Sequence, residues 1–360
     1  MILGLFTEIV SDGGVQRVGR HAAIALEDIA RARGEPCTNL SINDPVEETR
    51  FEVGGSSSAV RGFAGRRAPY IAAALAAARR ASLVYMGHPG IAPIALGIRL
   101  FNPRCPYWVH VHGTDIWPRL SFLDRLALRR ATGIISISRY SANQAIRMND
   151  VPPNLIHIVP NALEPELTAR TLSVRALPPA PTLLTVARLA ACEQYKGVDS
   201  VIRALSAVRR AVPEVRYVVV GDGDDRPRLE TLARECGVAD RVDFAGRVSE
   251  NELAARYRDA AVFVMPSSGE GFGVAYLEAM AFAKPCIGGD HGGAPEVVEE
   301  GVTGFVVDRE AIDVLAERIT RLLTTPELLS RMGEQGRRRV EERYTFEHFR
   351  RGLRQVMIGE

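Results

Sequence analysis

The chain has 360 residues, of which 46% are apolar and 24% are charged, close to the average of globular proteins, so neither disorder nor a fibrous repeat is indicated. A single core rarely serves more than about 250–300 residues, and the length therefore predicts two domains. The 45 basic and 43 acidic residues leave a net charge of +2, which argues against nucleic acid as a partner.

Short apolar runs alternate with amphipathic helical patterns along the first half of the chain. This alternation predicts βαβ units and a mainly parallel sheet. The glycine- and serine-rich stretch Gly54–Ser58 is predicted to be a mobile surface loop. The predicted strands are Ile2–Phe6, Leu83–Met86, Tyr107–Val111, Gly133–Ser136 and Leu155–Val159, and helical patterns cover Val15–Arg33 and Arg67–Arg80.

The proline-rich stretch Thr168–Pro181 lacks periodicity, which is typical of a linker. After it the alternation begins again, which predicts a second doubly wound domain. We therefore expect domains over residues 1–170 and 171–342, with a helical tail from Ile312 onward. The strands predicted here are Thr182–Val186, Arg216–Val220, Val242–Phe244, Ala261–Val264, Cys286–Gly288 and Gly304–Val307, with helices at Val198–Arg210, Pro227–Cys236, Glu250–Ala260 and one beginning near Val274.

Ligands of open parallel sheets bind at the carboxyl ends of the strands, so the loops leaving the strands are the places to search. Gly13 and Gly14 follow the first strand, where backbone amides can approach an anion; an ordinary strand–helix turn is the alternative. They lack the third glycine of the G-x-G-x-x-G fingerprint, which disfavours a dinucleotide dehydrogenase. His112 follows strand Tyr107–Val111, and its imidazole either bonds a sugar hydroxyl or is satisfied within a turn.

Arg188 and Lys196 lie in the loop after the first strand of the second domain. The chain has only two lysines, Lys196 and Lys284, among its 45 basic residues, so a lysine just before a helix calls for a specific explanation. An ammonium beside a planar guanidinium suits a diphosphate, because the two cations neutralise its charges from different directions. The alternative is that both are solvated loop cations.

The loop Pro266–Val274 carries three glycines between a strand and a helix, which is costly for a mere connection. The amides of Phe272–Val274 would open the helix toward a phosphate. Glu270 can bind sugar hydroxyls, and Glu278, one turn into the helix, can accept from both ribose hydroxyls. Alternatively, Glu278 faces solvent and the loop is a simple turn. The acidic run Asp222–Asp225 is interpreted as a helix N-terminus and not as a metal site.

Taken together, these motifs resemble glycosyltransferase family 4 (glycosyl transferases group 1), retaining enzymes of the GT-B fold. The resemblance extends over nearly the full length and is densest from Thr182 to Val307. It implies two Rossmann-like doubly wound domains facing each other across a cleft, with a C-terminal helix over residues 343–360 returning to the first domain. The matching segments are Ala187–Leu189, Tyr195–Gly197, Gly221–Gly223, Phe244–Gly246, Pro266–Gly273, Glu278–Ala281, Gly292–Val298 and Gly301–Gly304.

The resemblance also implies roles for individual residues. Arg188 and Lys196 would stabilise the leaving diphosphate, and Glu270 would bind the transferred sugar. Glu278 would bind the ribose, and His112 would contact the sugar at the reaction centre. The further donor-binding residues would be Gly13, Gly14, Gly246, Val248, Gly271, Phe272, Gly273 and Val274. Members of the family retain the anomeric configuration, favour front-face attack with a donor phosphate oxygen taking the acceptor proton, and need neither a metal nor a cofactor.

The predicted activity is transfer of a hexosyl unit from a UDP- or GDP-sugar to a sugar or lipid-linked acceptor. The pathway expected is the synthesis of cell-surface glycans or glycoconjugates. Two alternatives remain: a nucleotide-sugar epimerase of the same fold, and a non-catalytic nucleotide-sugar sensor. An epimerised sugar formed from the donor alone would indicate the epimerase. Tight donor binding without hydrolysis or transfer would indicate the sensor.

Five scattered cysteines without a C-x-x-C pair argue against a disulfide framework and a zinc site, and favour a cytoplasmic protein. The opening Met1–Phe6 is interpreted as a strand and not as a signal peptide. Proline and glycine punctuate Leu83–Phe101 too often for a membrane-spanning helix. The basic, amphipathic helix predicted at Arg119–Arg130 either rests on the inner face of the cell membrane or packs on the core with solvated arginines.

Overall fold

The structure is a computed structural model that describes residues 1–11, 13–167 and 180–359. The chain divides into two compact units, the first formed by Met1–Glu166 with Thr345–Glu360 and the second by Leu167–Tyr344. The divisions fall four residues before and two residues after those expected from the sequence. The linker predicted at Thr168–Pro181 lies, except for its last two residues, outside the described residues.

The described residues form fourteen strands and thirteen α-helices. The strands are β1 (Ile2–Phe6), β2 (Cys37–Ser41), β3 (Glu48–Val53), β4 (Ser56–Gly62), β5 (Leu83–Met86), β6 (Tyr107–Val111), β7 (Gly133–Ser136), β8 (Ile156–Ile158), β9 (Thr182–Val186), β10 (Arg216–Val220), β11 (Val242–Gly246), β12 (Val262–Met265), β13 (Cys286–Gly289) and β14 (Gly304–Val307). The helices are α1 (Gly14–Ala32), α2 (Arg67–Ala78), α3 (Ile94–Phe101), α4 (Phe122–Arg129), α5 (Arg139–Asn149), α6 (Val198–Ala211), α7 (Arg226–Glu235), α8 (Glu250–Asp259), α9 (Val274–Ala281), α10 (Ala294–Val297), α11 (Ile312–Thr324), α12 (Pro326–Arg343) and α13 (Phe346–Ile358).

The sheet of the first unit has the strand order β3-β4-β2-β1-β5-β6-β7-β8 and is parallel except for the β3–β4 pair. Because successive side chains of a strand point to opposite faces, β1 contributes to two cores. Leu3 and Leu5 pack on one face, while Ile2 and Phe6 pack on the other face against α1 and α13. The four central strands β1, β5, β6 and β7 are wholly buried and mostly apolar, as expected of a parallel sheet covered on both faces.

The prediction of a mobile loop at Gly54–Ser58 is wrong. These residues belong to the β3–β4 hairpin, whose turn is made by Gly54 and Gly55, both with positive φ (57° and 74°). Two consecutive left-handed residues suit the right-handed twist of a hairpin, and glycine adopts them without steric cost. Ser58 is buried in β4, where its hydroxyl accepts a hydrogen bond from Asn39 at 3.0 Å. The stretch resembles a polar loop, although Ser58 bonds Asn39 of β2 and Glu27 of α1.

The C-terminal helix α13 packs against α1 within the first unit. Buried His21 of α1 contacts the rings of Phe346 and Phe349, at centroid distances of 4.7 and 5.8 Å. Arg350 forms an ion pair of 2.6 Å with Asp28. Burial lowers the pKa of His21 to about 3, with a smaller contribution from neighbouring arginines, so the imidazole is neutral in the folded protein.

The second unit carries a fully parallel sheet with the strand order β11-β10-β9-β12-β13-β14. In order of occurrence this is 3-2-1-4-5-6, the order of Rossmann dinucleotide folds, in which the chain reverses direction across the sheet between the first and fourth strands. Helix α9 is almost wholly buried. It lies beneath α12, whose Gly333 would place an added Cβ 2.0 Å from the carbonyl oxygen of Ala283, so the close approach requires glycine.

None of the helices in the described part of the chain combines the length and the apolar character needed to cross a bilayer.

Candidate functional site

In the second unit, the reversal of strand order brings two loops together at the carboxyl edge of the sheet. One loop follows β9 and carries Arg188 and Lys196; the other follows β12 and carries Glu270. Ligands of open α/β sheets bind in the crevice at such a reversal. The topology therefore gathers three of the residues selected from the sequence.

The two loops pack directly against each other. The amide of Ser268 donates to the carbonyl of Tyr195 at 2.9 Å, and the Tyr195 ring occupies the space that a Cβ at Gly269 would need, 2.8 Å away. Gly197 adopts a left-handed conformation (φ 76°), and a Cβ there would lie 2.7 Å from the carbonyl oxygen of Pro266. Glycine at these two positions permits the approach that places Lys196 beside the second loop.

Lys196 and Glu270 form an ion pair. The Lys196 ammonium lies 2.7 Å from Oε2 of Glu270, and both side chains are largely buried, at 18% and 17% exposure. Burial alone would favour the neutral amine, but the Glu270 carboxylate outweighs it and raises the pKa of Lys196 above its ordinary value. The site thus holds a charged lysine at neutral pH, because charge pairing exceeds desolvation.

Arg188 stands at the other end of the same loop with a largely exposed side chain (68%). Its guanidinium donates to Glu193, and this hydrogen bond, reinforced by the negative charge, raises the pKa of the arginine. Glu193 was not among the residues selected from the sequence. The contact keeps the guanidinium on the loop while leaving most of its surface accessible to an anion.

The loop between β12 and α9 leads into a helix N-terminus with free backbone amides. Phe272 is buried against Tyr344 with an edge-to-face ring contact of 5.7 Å, which anchors the loop. Gly273, with φ 91°, is the N-cap of α9 and provides no side chain to cap the helix. The amide of Tyr276 already donates to the carbonyl of Gly273 at 3.0 Å, so the amides of Val274 and Ala275 are the groups that an anion can satisfy. Gly271 precedes this turn, next to Glu270.

A third loop, not selected for a role from the sequence, braces this segment. The amide of Gly293 donates to the carbonyl of Glu270 at 2.6 Å. A Cβ at Gly292 would lie 2.4 Å from that same oxygen, and one at Gly293 would lie 2.2 Å from the carbonyl oxygen of Gly271. The paired glycines after β13 signal this close backbone approach, and they fix the backbone that presents Glu270.

Glu278 is buried in α9 with 6% of its surface exposed, so the alternative of a solvent-facing residue is wrong. Its Oε2 accepts a hydrogen bond of 2.7 Å from the hydroxyl of Tyr257 in α8. A carboxylate so deeply buried requires such partners, because an unpaired buried charge is costly. No sequence pattern links these residues, which lie 21 positions apart on different helices.

Gly246 and Val248 lie at the carboxyl end of β11, the outer strand of this sheet. Gly246 ends the strand with φ 69°, and its carbonyl accepts from the amide of Gly221 at 2.8 Å. Both residues are half-buried, and Val248 immediately precedes the N-cap of α8. They are at the same edge of the sheet as Arg188 and Glu270, two strands away from β9.

In the first unit, Gly13 is the N-cap of α1, in the loop after β1, and Gly14 is the first residue of that helix. A Cβ at Gly13 would lie 2.2 Å from the side-chain oxygen of Gln16, whereas a Cβ at Gly14 would meet no atom within 4 Å. Asp44 shapes the preceding segment, since its carboxylate accepts from the amides of Ile9 and Val10 at 2.9 and 3.1 Å. Asp12 of the same loop falls outside the described residues. Among the described residues, no atom covers the side of Gly14 on which a Cβ would stand.

His112 follows β6 at the same edge of the first sheet. Its Nε2 lies 2.8 Å from the carbonyl oxygen of Gly87, which can only accept, so Nε2 carries the proton. Its Nδ1 is then a hydrogen-bond acceptor, buried and without a partner among the described residues. The backbone amide of His112 donates to Asp115, whose carboxylate lies 3.9 Å from His88. Asp115 and His88 were not selected from the sequence. Their contacts form only because the loops after β5 and β6 lie side by side in the sheet.

The structure thus places Arg188, Lys196, Glu270 and the start of α9 together at one sheet edge of the second unit. Gly13, Gly14 and His112 follow strands of the first unit at the corresponding carboxyl edge. In the described residues there is no group of three or more His, Cys, Asp or Glu side chains arranged to hold a metal ion.

Comparison with known proteins agrees with this division. Residues 175–339 match the profile of the family "Glycosyl transferases group 1", and residues 19–162 match that of the "Glycosyl transferase 4-like domain". A solved structure of sucrose-phosphate synthase from Thermosynechococcus elongatus superimposes with a TM-score of 0.77 at 21% identity, covering 99% of this chain and 98% of that one. The chain belongs to glycosyltransferase family 4 and has the GT-B fold.

Among curated relatives, the chain is similar to a GDP-mannose-dependent alpha-(1-6)-phosphatidylinositol monomannoside mannosyltransferase of Mycobacterium tuberculosis. The two are 37% identical over 187 residues, which is 50% of this chain and 48% of that protein. The enzyme of the same name from Mycolicibacterium smegmatis is 34% identical over 243 residues, 63% of each chain. The chain thus matches from about half to under two thirds of the length of these relatives.

Proposed function

We propose that this protein transfers a hexosyl unit from a nucleotide-diphosphate sugar to a sugar or lipid-linked acceptor, with retention of the anomeric configuration. The observation that carries the proposal is the largely buried Lys196–Glu270 ion pair. It lies in the loops next to the N-terminus of α9, which no side chain caps. Similarity to two GDP-mannose-dependent mannosyltransferases supports it.

The proposed catalysis rests on stabilising the negative charge of the leaving diphosphate. When the bond between the sugar and the diphosphate breaks, negative charge grows on the leaving phosphate. Lys196, Arg188 and the first amides of α9 are preorganised donors for that charge, and such donors stabilise a transition state more than a ground state. Glu270, held by Lys196, presents its carboxylate to the sugar hydroxyls. Glu278 accepts from the ribose hydroxyls, and Nδ1 of His112 accepts from a hydroxyl of the transferred sugar.

Proton transfer and metal use complete the proposed mechanism. The acceptor attacks from the face that the leaving group vacates, and a donor phosphate oxygen takes its proton. No divalent cation is required, since lysine, arginine and helix amides neutralise the diphosphate. Turnover undiminished by excess EDTA is the expected result, and activity restored only by added Mg²⁺ or Mn²⁺ would contradict it.

A donor screen followed by product analysis tests the function. GDP-mannose is expected to raise the melting temperature, as a ligand that binds only the folded state does, with UDP-sugars as the comparison. Incubation of the preferred donor with a panel of glycolipid and sugar acceptors should then yield an α-linked product by NMR from an α-linked donor. Epimerised sugar from donor alone would instead indicate an epimerase, and tight binding without any turnover would indicate a sensor.

We further propose that the protein works in the cytoplasm, peripherally attached to the inner face of the cell membrane through α4. This helix buries Ala127 and Leu128 but exposes two large apolar side chains at its start, Phe122 (70%) and Leu123 (54%). Arginines at both ends of the segment are exposed as well. Apolar side chains flanked by cations suit an anionic lipid surface, where insertion and charge attraction add.

Co-sedimentation with vesicles tests this attachment. The protein is expected to bind vesicles containing anionic phospholipid at low salt, and to bind neutral vesicles less. Replacing Phe122 and Leu123 by aspartate should abolish binding. Val314→Asp, at an exposed apolar residue of α11 (45%), is the matched control and should bind as the native protein does. Failure of the native protein to co-sediment would refute the proposal.

A further inference from the structure

Helix α8 contributes Tyr257, a residue that lies outside every motif that carries the family resemblance and was not a candidate site residue. We propose that Tyr257 is a positioning residue for Glu278, holding its carboxylate in the orientation that receives the ribose of the donor nucleotide. This inference rests on the proposed function, because it takes Glu278 to be the ribose-binding residue. It predicts that Tyr257 increases the preference of the protein for a ribonucleotide over the same nucleotide without ribose hydroxyls.

The contact itself is short and buried. Tyr257 is 1% exposed, and its hydroxyl donates to Oε2 of Glu278 at 2.7 Å. A hydrogen bond to a charged acceptor is stronger than one between neutral groups, and burial strengthens it further. This hydrogen bond therefore restrains one of the two carboxylate oxygens.

The tyrosine ring is held in place on both sides. It stacks on Phe282 with an interplanar angle of 10° and a centroid distance of 5.6 Å, and it packs against Phe263 at 6.0 Å. Phe282 directly follows α9, the helix that carries Glu278. The ring thus has little freedom to move away from the carboxylate.

The backbone of α8 is anchored as well. The ammonium of Lys284, one of the two lysines of the chain, is buried and donates to the carbonyl of Arg258 at 2.8 Å. At its other end, α8 begins with a capping box between Ser249 and Glu252. Tyr257 directly precedes Arg258 in the sequence. Lys284 therefore anchors the backbone of α8 next to the residue that carries the phenol.

Loss of the phenol hydroxyl should therefore act on ribose recognition and not on the fold. Tyr257→Phe keeps the ring contacts and removes the hydroxyl that bonds Glu278. The carboxylate then loses the hydrogen bond that restrains Oε2, and hydroxyls of a bound ribose meet a less ordered acceptor. Phosphate contacts, made by Lys196 and the start of α9, remain unchanged.

Calorimetric titration with two nucleotides gives the test. The probes are GDP and 2′,3′-dideoxy-GDP, or the uridine pair if UDP is the tighter ligand. Tyr257→Phe is expected to weaken binding of the ribonucleotide about tenfold, which corresponds to about 1.4 kcal/mol, and to leave binding of the dideoxynucleotide unchanged. The donor KM should rise accordingly while kcat stays close to that of the native enzyme.

Three further variants make the result decisive. Tyr217→Phe is the matched control, since Tyr217 is another buried tyrosine of this unit whose hydroxyl bonds Thr185 at 2.8 Å. It should leave both affinities unchanged. Glu278→Gln should lose the preference for ribose, and adding Tyr257→Phe to it should have no further effect.

The outcomes separate the inference from the function on which it rests. If Glu278→Gln loses the ribose preference but Tyr257→Phe keeps it, the inference is overturned and the proposed function stands. If both nucleotides weaken equally in Tyr257→Phe, the tyrosine has only a structural role, and the inference is again overturned. If the native protein binds no nucleotide at all, the proposed function itself fails.

Discussion

Lys196 and Glu270 are 74 positions apart in the chain, yet their charged atoms lie within 2.7 Å of each other. The pair forms because two loops meet where the order of strands reverses, and because glycines at positions 197 and 269 remove the side chains that would hold the loops apart. At the scale of single residues, the site therefore depends on small side chains as much as on charged ones.

Replacing Lys196 by alanine should lower kcat/KM by about 10²–10³, the usual loss when one preorganised donor to a developing negative charge is removed. The fold should persist, since the lysine belongs to a loop. Steady-state kinetics and circular dichroism provide the measurements. Arg203→Ala, at an exposed cation of α6, is the control and should have native activity. Native turnover in Lys196→Ala would refute the role of the lysine.

Two glycines with the same backbone conformation allow a matched comparison. Gly197 and Gly301 have φ of 76° and 74°, but only at Gly197 would a Cβ meet another atom within 4 Å. Gly301→Ala should cost about 1 kcal/mol of unfolding free energy, the penalty for a left-handed non-glycine residue. Gly197→Ala should cost more and also weaken nucleotide binding, because the Lys196 loop must shift.

Urea denaturation and nucleotide titration of both variants distinguish conformational strain from the steric contact. Equal losses in the two variants, with native nucleotide affinity in Gly197→Ala, would show that the contact with the Pro266 carbonyl is unimportant.

At the scale of elements, the association of α1 with α13 makes the first unit sensitive to acid. His21 is buried between the rings of Phe346 and Phe349, with no hydrogen bond to either ring nitrogen among the described residues. Its pKa of about 3 lies below the ordinary 6.5. The unfolded chain therefore binds the extra proton first, and the free energy of unfolding falls as the pH falls from 6.5 toward 3.

His21→Leu should remove this dependence. Within that pH window, the slope of unfolding free energy should become shallower by up to about 1.4 kcal/mol per pH unit. Burial also lowers the pKa of His110, so a residual dependence of the same sign is expected in the variant. Urea titrations of the native protein, of His21→Leu and of the exposed control His291→Leu provide the slopes. Identical slopes in all three would contradict the prediction.

At the scale of the whole molecule, the chain is discontinuous: the first unit includes both ends, and the second is formed by the intervening residues. Both tryptophans, Trp108 and Trp117, belong to the first unit. Tryptophan fluorescence therefore reports unfolding of the first unit, while circular dichroism reports both units. The two signals can separate the response of each unit to a ligand.

A nucleoside diphosphate bound by Arg188, Lys196 and Glu278 should stabilise the second unit by about 2.7 kcal/mol at one hundred times its Kd. The thermal transition seen by circular dichroism should shift upward, and the transition seen by tryptophan fluorescence should shift less. Lys196→Ala should reduce the shift at the same nucleotide concentration. A larger shift in fluorescence than in circular dichroism would place the main binding contribution in the first unit.

Much of the molecule follows from local patterns. Buried parallel strands are continuous apolar runs, and glycine-rich loops after strands are recognisable, so nearly all strands of the second unit were predicted to within a residue or two. The β3–β4 hairpin was not, because the charged strand β3 and the serine-rich start of β4 resemble a polar loop. Strand β2, Cys37–Ser41, was missed as well, since its polar residues Asn39 and Ser41 are buried and bond Ser58 and the carbonyl of Thr7.

The sequence by itself determined the parallel strands, the glycine loops, the family resemblance and the identity of Arg188, Lys196, Glu270 and Glu278 as candidates. These features are local, since they depend on residue type and short spacing. Only the tertiary structure decided which partners those residues have: Glu270 for Lys196, Glu193 for Arg188, Tyr257 for Glu278. Such pairings depend on strand order and helix packing, which bring together residues that no periodicity connects.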